Sequence, residues 1–226
     1  MIVAAKDPVT LVGGGPLGPD DLAEALALAP VAVALDSGAD ACLAAGITPE
    51  AVIGDLDSLS PAARVAFAGR LHRVEEQVTT DFDKGLRHVA APLVVGVGLS
   101  GGRLDHALAG LSVLLAHPDR PCLLSGGPSL AFLCPPEIAL DLPRGTALSL
   151  FPLLPGGVDS TGLAWPTDGL RFRPGGRLGT SNAVAGPVVL RAPAPGMLVI
   201  LPRPALAEAA RALRAAPRWP PAPRGG

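Results

Sequence analysis

The chain has no tyrosine, five phenylalanines and two tryptophans among 226 residues, so aromatics make up only 3%. A surface that stacks successive bases needs many aromatic faces, and these are too few to build one. Charge is sparse as well: charged residues are 17% and the net charge is −2. No basic footprint for nucleic acid follows, and nucleic acid is not an expected partner. Lysine is nearly missing. It occurs only at Lys6 and Lys84, and arginine fills the other 16 of the 18 basic positions. An ammonium is a compact point charge where a guanidinium is a planar fork, which makes Lys84 a position of interest.

Further absences narrow the class. Cys42, Cys122 and Cys134 are odd in number and far apart, which suits a reducing compartment better than a disulfide framework. His72, His88, His106 and His117 have no zinc-ligand spacing. No uncharged apolar run reaches membrane-spanning length. The opening MIVAAKDPVTLVGGG lacks the basic region and apolar core of a signal peptide. The expectation is a cytoplasmic protein with no membrane partner.

What is present is apolar material, at 49%, with 28 glycines and 26 prolines to turn it. That is enough for a sizeable core and argues against disorder. Up to about residue 135, apolar runs alternate with helical patterns. VTLVGGG reads as a strand running into a Gly loop, VAVALDSGA as a strand ending at Asp36, and AVIGDLDS, PLVVGVGLSGG and PCLLSGG as further strands. Helices are expected in PDDLAEALALA, DACLAAG, SPAARVAFAG, TTDFDKGLRHVAA and RLDHALAGLSVLLAH. Ser60 and Pro61 mark one helix start, as cap and first residue. In the last of these helices Leu104, Leu108, Leu111 and Leu115 share a spacing that points them inward. Alternating elements with wholly apolar strands imply an α/β domain over 1–135 around a parallel, Rossmann-like sheet. From 136 to 226, short β-like runs are punctuated by Pro and Gly: TALSLFPL, VDSTGLAWP, GLRFRPG, PVVLRAP and GMLVILP. This part reads as an antiparallel sandwich or barrel, followed by a short helix and a loose Pro-rich tail.

Gly13-Gly14-Gly15-Pro16-Leu17-Gly18 fits G-x-G-x-x-G, and Asp36 ends the next strand. Asp20 and Asp21 then stand where a pyrophosphate should meet a positive helix end, and Pro16 removes a donor, so a tight turn is the better reading. The acids are more telling as a set. Asp55 and Asp57 follow one strand, and Asp81 and Asp105 open helices. Each has a plain local explanation as a turn former, cap or dipole partner. Together they lie at the sheet edge where ligands bind in open α/β folds. Four acids on one edge repel each other without a cation, and carboxylates plus substrate phosphates suit Mg2+. Gly101-Gly102 and Arg103 offer donors for phosphate, and Lys84 lies one turn from Asp81. This combination, without a Walker A motif, suggests phosphoryl-type transfer from a nucleotide.

The ordered motifs DSGAD (36–40), GDLDS (54–58), TTDFDKGL (79–86) and GGRLDHAL (101–108) resemble the thiamine pyrophosphokinase family. So do STGLAWP (160–166) and GTSNA (179–183). The resemblance implies an N-terminal α/β domain and a C-terminal β-sandwich, in a homodimer whose active site lies near the subunit interface. It implies Mg2+, and transfer of a diphosphate from ATP to the thiamine hydroxyl with release of AMP. Asp55, Asp57, Asp81 and Asp105 would then handle metal and phosphates, with Arg103 and Lys84 neutralising the triphosphate. Asp36, Gln77, Thr80, Gly101, Gly102, Arg103 and His106 would bind the nucleotide. Ser181, Asn182 and Trp165 would meet thiamine. The general base is open between Asp81 and Asp105. Three positions depart from the usual family pattern. Ser37 stands where the family usually has Gly, Gln77 and its neighbours where acids are common, and Gly110 where Asn is common. Two other readings are a pyrophosphokinase for another hydroxymethyl acceptor, such as a pterin, and a non-catalytic thiamine or nucleotide sensor.

Overall fold

Apolar runs too short to be helices form the middle of the first of two units. The computed structural model describes residues 1–76, 78–100 and 102–222. It divides into Met1–Val113 with Leu124–Gly127, and Leu114–Leu123 with Pro128–Gly226. The first unit runs β1 (Val3–Ala4), β2 (Val9–Val12), α1 (Asp21–Leu28), β3 (Val31–Leu35), α2 (Gly38–Ala44) and β4 (Ala51–Gly54). There follow α3 (Pro61–Ala66), β5 (Leu71–Arg73), α4 (Asp81–His88), β6 (Val89–Ala90), β7 (Val94–Val97) and α5 (Leu104–Ala116). Every residue of β2, β4 and β7 is buried, which is why these strands read as unbroken apolar runs rather than as alternations.

Five strands of this unit pair in parallel in the order β7-β2-β3-β4-β5. β1 and β6 form a separate parallel pair. Helix α1 packs on β2 and β7, α2 on β2 and β3, and α4 on β3 and β4. The chain lays down β2 to β5 in one direction and then returns to place β7 on the other flank of β2. Reversal at β2 splays the loops that leave β2 and β7, and a crevice opens at such a point. Two glycines make the loops fit. Gly98 has φ +66, a conformation costly for other residues, and a Cβ there would stand 2.5 Å from the Gly13 carbonyl. Gly38 begins α2 so close to β2 that a Cβ would lie 1.9 Å from the Val12 carbonyl.

The local starts of α3 and α4 follow capping rules. Ser60 Oγ accepts the Ala63 N–H at 3.1 Å, with Pro61 at the first helical position as expected. At α4 the cap is Thr80, whose Oγ1 accepts the Asp83 N–H at 3.2 Å, and this leaves Asp81 free of a capping role. Helix α5 corrects an expectation. Leu104 and Leu108 are 74% and 58% exposed, while Gly110, Val113 and Leu114 are buried. The helix is apolar nearly all round, so spacing alone could not choose its inner face. Packing chose the side on which the small Gly110 fits near the Leu99 carbonyl.

β8 (Cys122–Gly126) precedes the strands of the second unit. These are β9 (Ser129–Leu133), β10 (Glu137–Leu140), β11 (Ala147–Pro152), β12 (Asp159–Leu163), β13 (Gly179–Arg191) and β14 (Met197–Pro202), with helix α6 (Leu206–Ala215) after them. Among the described residues they pair antiparallel, β13 with β10, β11 and β12, and β14 with β9 and β11. The fold is therefore mixed α/β, with mixed rather than purely parallel strand pairing. GTSNA and PVVLRAP, separate in the sequence pattern, are one 13-residue strand. Its first part pairs with β11 and its last part with β10 and β12. GLRFRPG makes no strand, only an isolated bridge between Phe172 and Gly156. The tail expected to be loose is pinned where the Trp219 indole N–H donates to the Cys134 carbonyl at 2.9 Å. No helix among the described residues is long and apolar enough to cross a membrane.

Gly38→Ala is expected to destabilise the protein by about 3 kcal/mol, because backbone rather than a pliable side chain blocks the added methyl. Urea unfolding of the variant beside the wild type measures it.

Candidate active site

The carboxyl ends of β2, β3, β4 and β7 surround a cleft of about 700 Å3 in the first unit. That volume is in the range of small-molecule sites. Its floor is the glycine turn after β2, where Gly13 N–H donates to Val97 O and Gly15 N–H to Gly98 O, both at 2.8 Å. Asp36 enters from the end of β3, Asp55 and Ser58 from the loop after β4, and Thr80, Asp81 and Lys84 from the start of α4. Arg103 and His106 enter beside α5.

Asp36 is the most constrained of these groups. It is 7% exposed, its φ is +47, and its Oδ1 has no hydrogen-bond partner among the described residues. Burial pushes its carboxyl up to about 6, and the negative charges of Asp81 and Asp55 push the same way, against a bond from Ser58. Asp55 shifts down instead. The Asp57 N–H donates to its Oδ1 at 3.1 Å and holds the carboxylate ionised, with smaller help from Asp36, Lys84 and Arg73. Lys84 is 2% exposed and pairs with Asp81 at 3.0 Å. A side chain so enclosed gives up solvation, so its pairing partner matters more than it would on a surface.

Asp57 and Asp105 are not among the groups that line the cleft. Asp57 is exposed and contributes its N–H to Asp55. Asp105 is gripped by Arg103 through Nη2 at 2.6 Å and Nε at 3.1 Å, and this grip lowers its pKa. Among the described residues no group of three or more Asp, Glu, His or Cys side chains is gathered tightly enough to hold an ion unaided. The donor chemistry nevertheless suits Mg2+. Asp36 feels the charges of both Asp81 and Asp55, and it has an unpartnered oxygen. A hard dication with phosphate oxygens filling its shell would relieve both.

In the second unit, the Asn182 carboxamide brackets the backbone of Trp165. Its Oδ1 accepts the Trp165 N–H at 3.1 Å and its Nδ2 donates to the Trp165 carbonyl at 2.7 Å. Asn182 is buried, whereas Trp165 is 63% exposed, so the bracket presents an indole to solvent. Ser181 sits beside it at φ +63, with its N–H donating to Ser149 Oγ at 3.0 Å.

Residues 22–124 match a family model described as thiamin pyrophosphokinase, catalytic domain. The chain is 29% identical over 156 residues to thiamine pyrophosphokinase 2 of Oryza sativa subsp. japonica, covering 60% of this chain and 58% of that protein. It thus spans well under two thirds of the length of the curated relatives it matches. The crystal structure of thiamin pyrophosphokinase from Geobacillus thermodenitrificans superposes with a TM-score of 0.71 at 25% identity, over 86% of this chain and 96% of that one. Residues 22–124 are thus similar to the catalytic domain of thiamin pyrophosphokinases. The same fold recurs in thiamin pyrophosphokinase from Candida albicans, with a TM-score of 0.75 at 16% identity over 87% of this chain and 89% of that one.

The cleft gathers Asp36, Asp55, Thr80, Asp81, Lys84, Gly102, Arg103 and His106 from motifs far apart in sequence. Gln77 and Gly101, also expected at the nucleotide, lie outside the described residues. Gly13–Gly15 form the tight turn expected from the sequence, and that turn also lines the cleft. Ser58 was passed over, although it faces the cleft and bonds Asp36.

Two outcomes are expected. Because Asp36 has a raised pKa, its contribution to stability is fully present below about pH 4 and is lost as pH rises through about 6. Asp36→Asn in EDTA should therefore gain on the order of 2 kcal/mol over the wild type at pH 8 and nothing at pH 4. Chemical denaturation at the two pH values reads the difference. Asn182→Ala should lose about 2 kcal/mol, since it leaves the Trp165 N–H and carbonyl unpaired, and the same measurement reports it.

Proposed function

We propose that this chain transfers a diphosphate group from ATP to the hydroxyl of thiamine, producing thiamine diphosphate and AMP. The observation that carries the reading is the confrontation of Asp36, Asp55 and Asp81 with buried Lys84 in one cleft, inside the segment that matches the family's catalytic domain. Carboxylates that crowd each other, next to a desolvated ammonium and an arginine, suit a metal-complexed triphosphate.

The thiamine hydroxyl oxygen forms a bond to the β-phosphorus, and the bond from that phosphorus to the α–β bridging oxygen breaks. AMP leaves with the electron pair. The hydroxyl proton passes to a carboxylate. Asp81 faces the cleft and Asp105 is held by Arg103, which favours Asp81 for this role. Lys84 and Arg103 would offset phosphate charge, and backbone N–H groups of the glycine turn would face the phosphates. Asp36, Asp55 and Asp81 would hold Mg2+, which would polarise phosphate oxygens and offset developing charge.

Met1–Val113 would be the core of a Rossmann-like nucleotide domain (about 1–135) and the strands after it a β-sandwich for thiamine (about 136–226). Trp165 and Ser181 would be the surface that meets the thiamine ring. A cytoplasmic homodimer with its site near the subunit interface fits the exposed Leu104 and Leu108. They lie on the helix that carries His106 into the cleft.

AMP release from ATP should require both thiamine and Mg2+. Asp55→Asn should lower turnover roughly 10²–10³-fold while the melting temperature stays within a few degrees. Comparable losses of turnover and melting temperature would assign Asp55 a structural role and sink the reading.

A further inference from the structure

Residues 55–60 leave β4 carrying two acids, and something other than those acids must set the spacing between them. Leu56, the residue between, has φ +67 and is buried. A branched residue in the left-handed region persists only where its surroundings over-determine it. Three contacts do so. The Leu56 side chain is packed into the core, the Asp57 N–H turns back onto Asp55 Oδ1, and Arg64 Nη2 donates to the Leu56 carbonyl at 2.7 Å. Arg64 stands on exposed α3 and forms no ion pair among the described residues. Its charge is spent on a backbone carbonyl behind the acids. The far end of the loop is tied separately, where Asp40 on α2 accepts the Ser60 N–H at 3.2 Å and the Ser60 hydroxyl.

We propose that Arg64 is a positioning residue for divalent-cation binding. It lies outside the cleft, and by holding the Leu56 carbonyl it fixes the peptide whose N–H, that of Asp57, donates to Asp55 Oδ1. The proposal rests on the reading of Asp55 as a metal ligand. Releasing that peptide frees the left-handed turn and takes from the Asp55 carboxylate the bond that orients it into the cleft. Partners that orient metal ligands from outside the coordination shell are worth roughly 10–100-fold in metal affinity. Asp40 anchors the loop's end but does not touch the peptide between the acids.

The test uses the full chain with Mn2+ as the probe, in the presence of saturating ATP analogue bearing an α,β-methylene bridge. Free Mn2+ is read by electron paramagnetic resonance. Arg64→Ala should bind Mn2+ roughly 10-fold more weakly than the wild type, and Arg64→Lys should recover part of the loss. Arg70→Ala is the control for removing a surface arginine, since Arg70 bonds the Glu50 carbonyl away from the acids, and it should bind as the wild type does. In AMP-release assays the Mg2+ concentration for half-maximal rate should rise by the same factor in Arg64→Ala, with KM for thiamine unchanged. Should Arg64→Ala fail to fold, Arg64→Gln replaces it in every arm. Wild-type Mn2+ affinity in the Arg64 variant, whatever its melting temperature, overturns the proposal. A wild type that binds Mn2+ but releases no AMP counts against the pyrophosphokinase reading alone. A wild type with no saturable Mn2+ binding overturns the metal-ligand reading and this proposal together.

Discussion

The Asp36 carboxyl is buried at the end of β3, where its N–H is tied to the Ile53 carbonyl at 3.0 Å and its Cβ lies close against Gly54. A side chain on Gly54 would begin 3.1 Å from that Cβ, so β3 and β4 can end side by side only because one of them ends in glycine. The carboxylates beside it are held by partners of their own. Asp55 is kept ionised by the Asp57 N–H, and Asp81 is met by Lys84, which is itself buried. The result is an electrostatically expensive edge on an otherwise apolar sheet. Groups held in this way, at the expense of stability, are what a binding site for a charged ligand requires.

Glycine carries the geometry around that edge. The turn after β2 folds back onto Val97 and Gly98 through one backbone bond to each, and the crevice lies where the strand order reverses. Side chains in those turns would fill the space or break the turns. Such a loop leaves N–H groups and carboxylates as the exposed chemistry, and a chain with so little charge elsewhere concentrates it here.

The second unit solves a different problem. Strand β13 pairs with β11 in its first part and with β10 and β12 further along, so one strand serves two sets of partners. At its start Ser181 and Asn182 depart from ordinary strand behaviour. Ser181 adopts a left-handed conformation, and the Asn182 amide is occupied by the Trp165 backbone. An asparagine that a motif alone assigns to ligand contact is here occupied with holding an exposed indole in place. That leaves the indole and the Ser181 hydroxyl as the groups free to meet a ligand.

The amino-acid sequence by itself determined the alternation of strand and helix, the apolar character of β2, β4 and β7, the cap at Ser60 and the family motifs. Each of these depends on near neighbours in the chain, through side-chain size, φ preference or a bond three residues away. Tertiary structure decided what local pattern leaves degenerate. Helix α5 is apolar on more than one face, and only packing near Leu99 turned Leu104 and Leu108 outward. The acids looked equivalent in sequence, yet Asp36, Asp55 and Asp81 came into one cleft while Asp105 was claimed by Arg103. The glycine turn, expected from the sequence, also lines the cleft because β7 lies alongside β2. Charge and position in space are long-range properties, and they exist only once strands distant in sequence lie side by side.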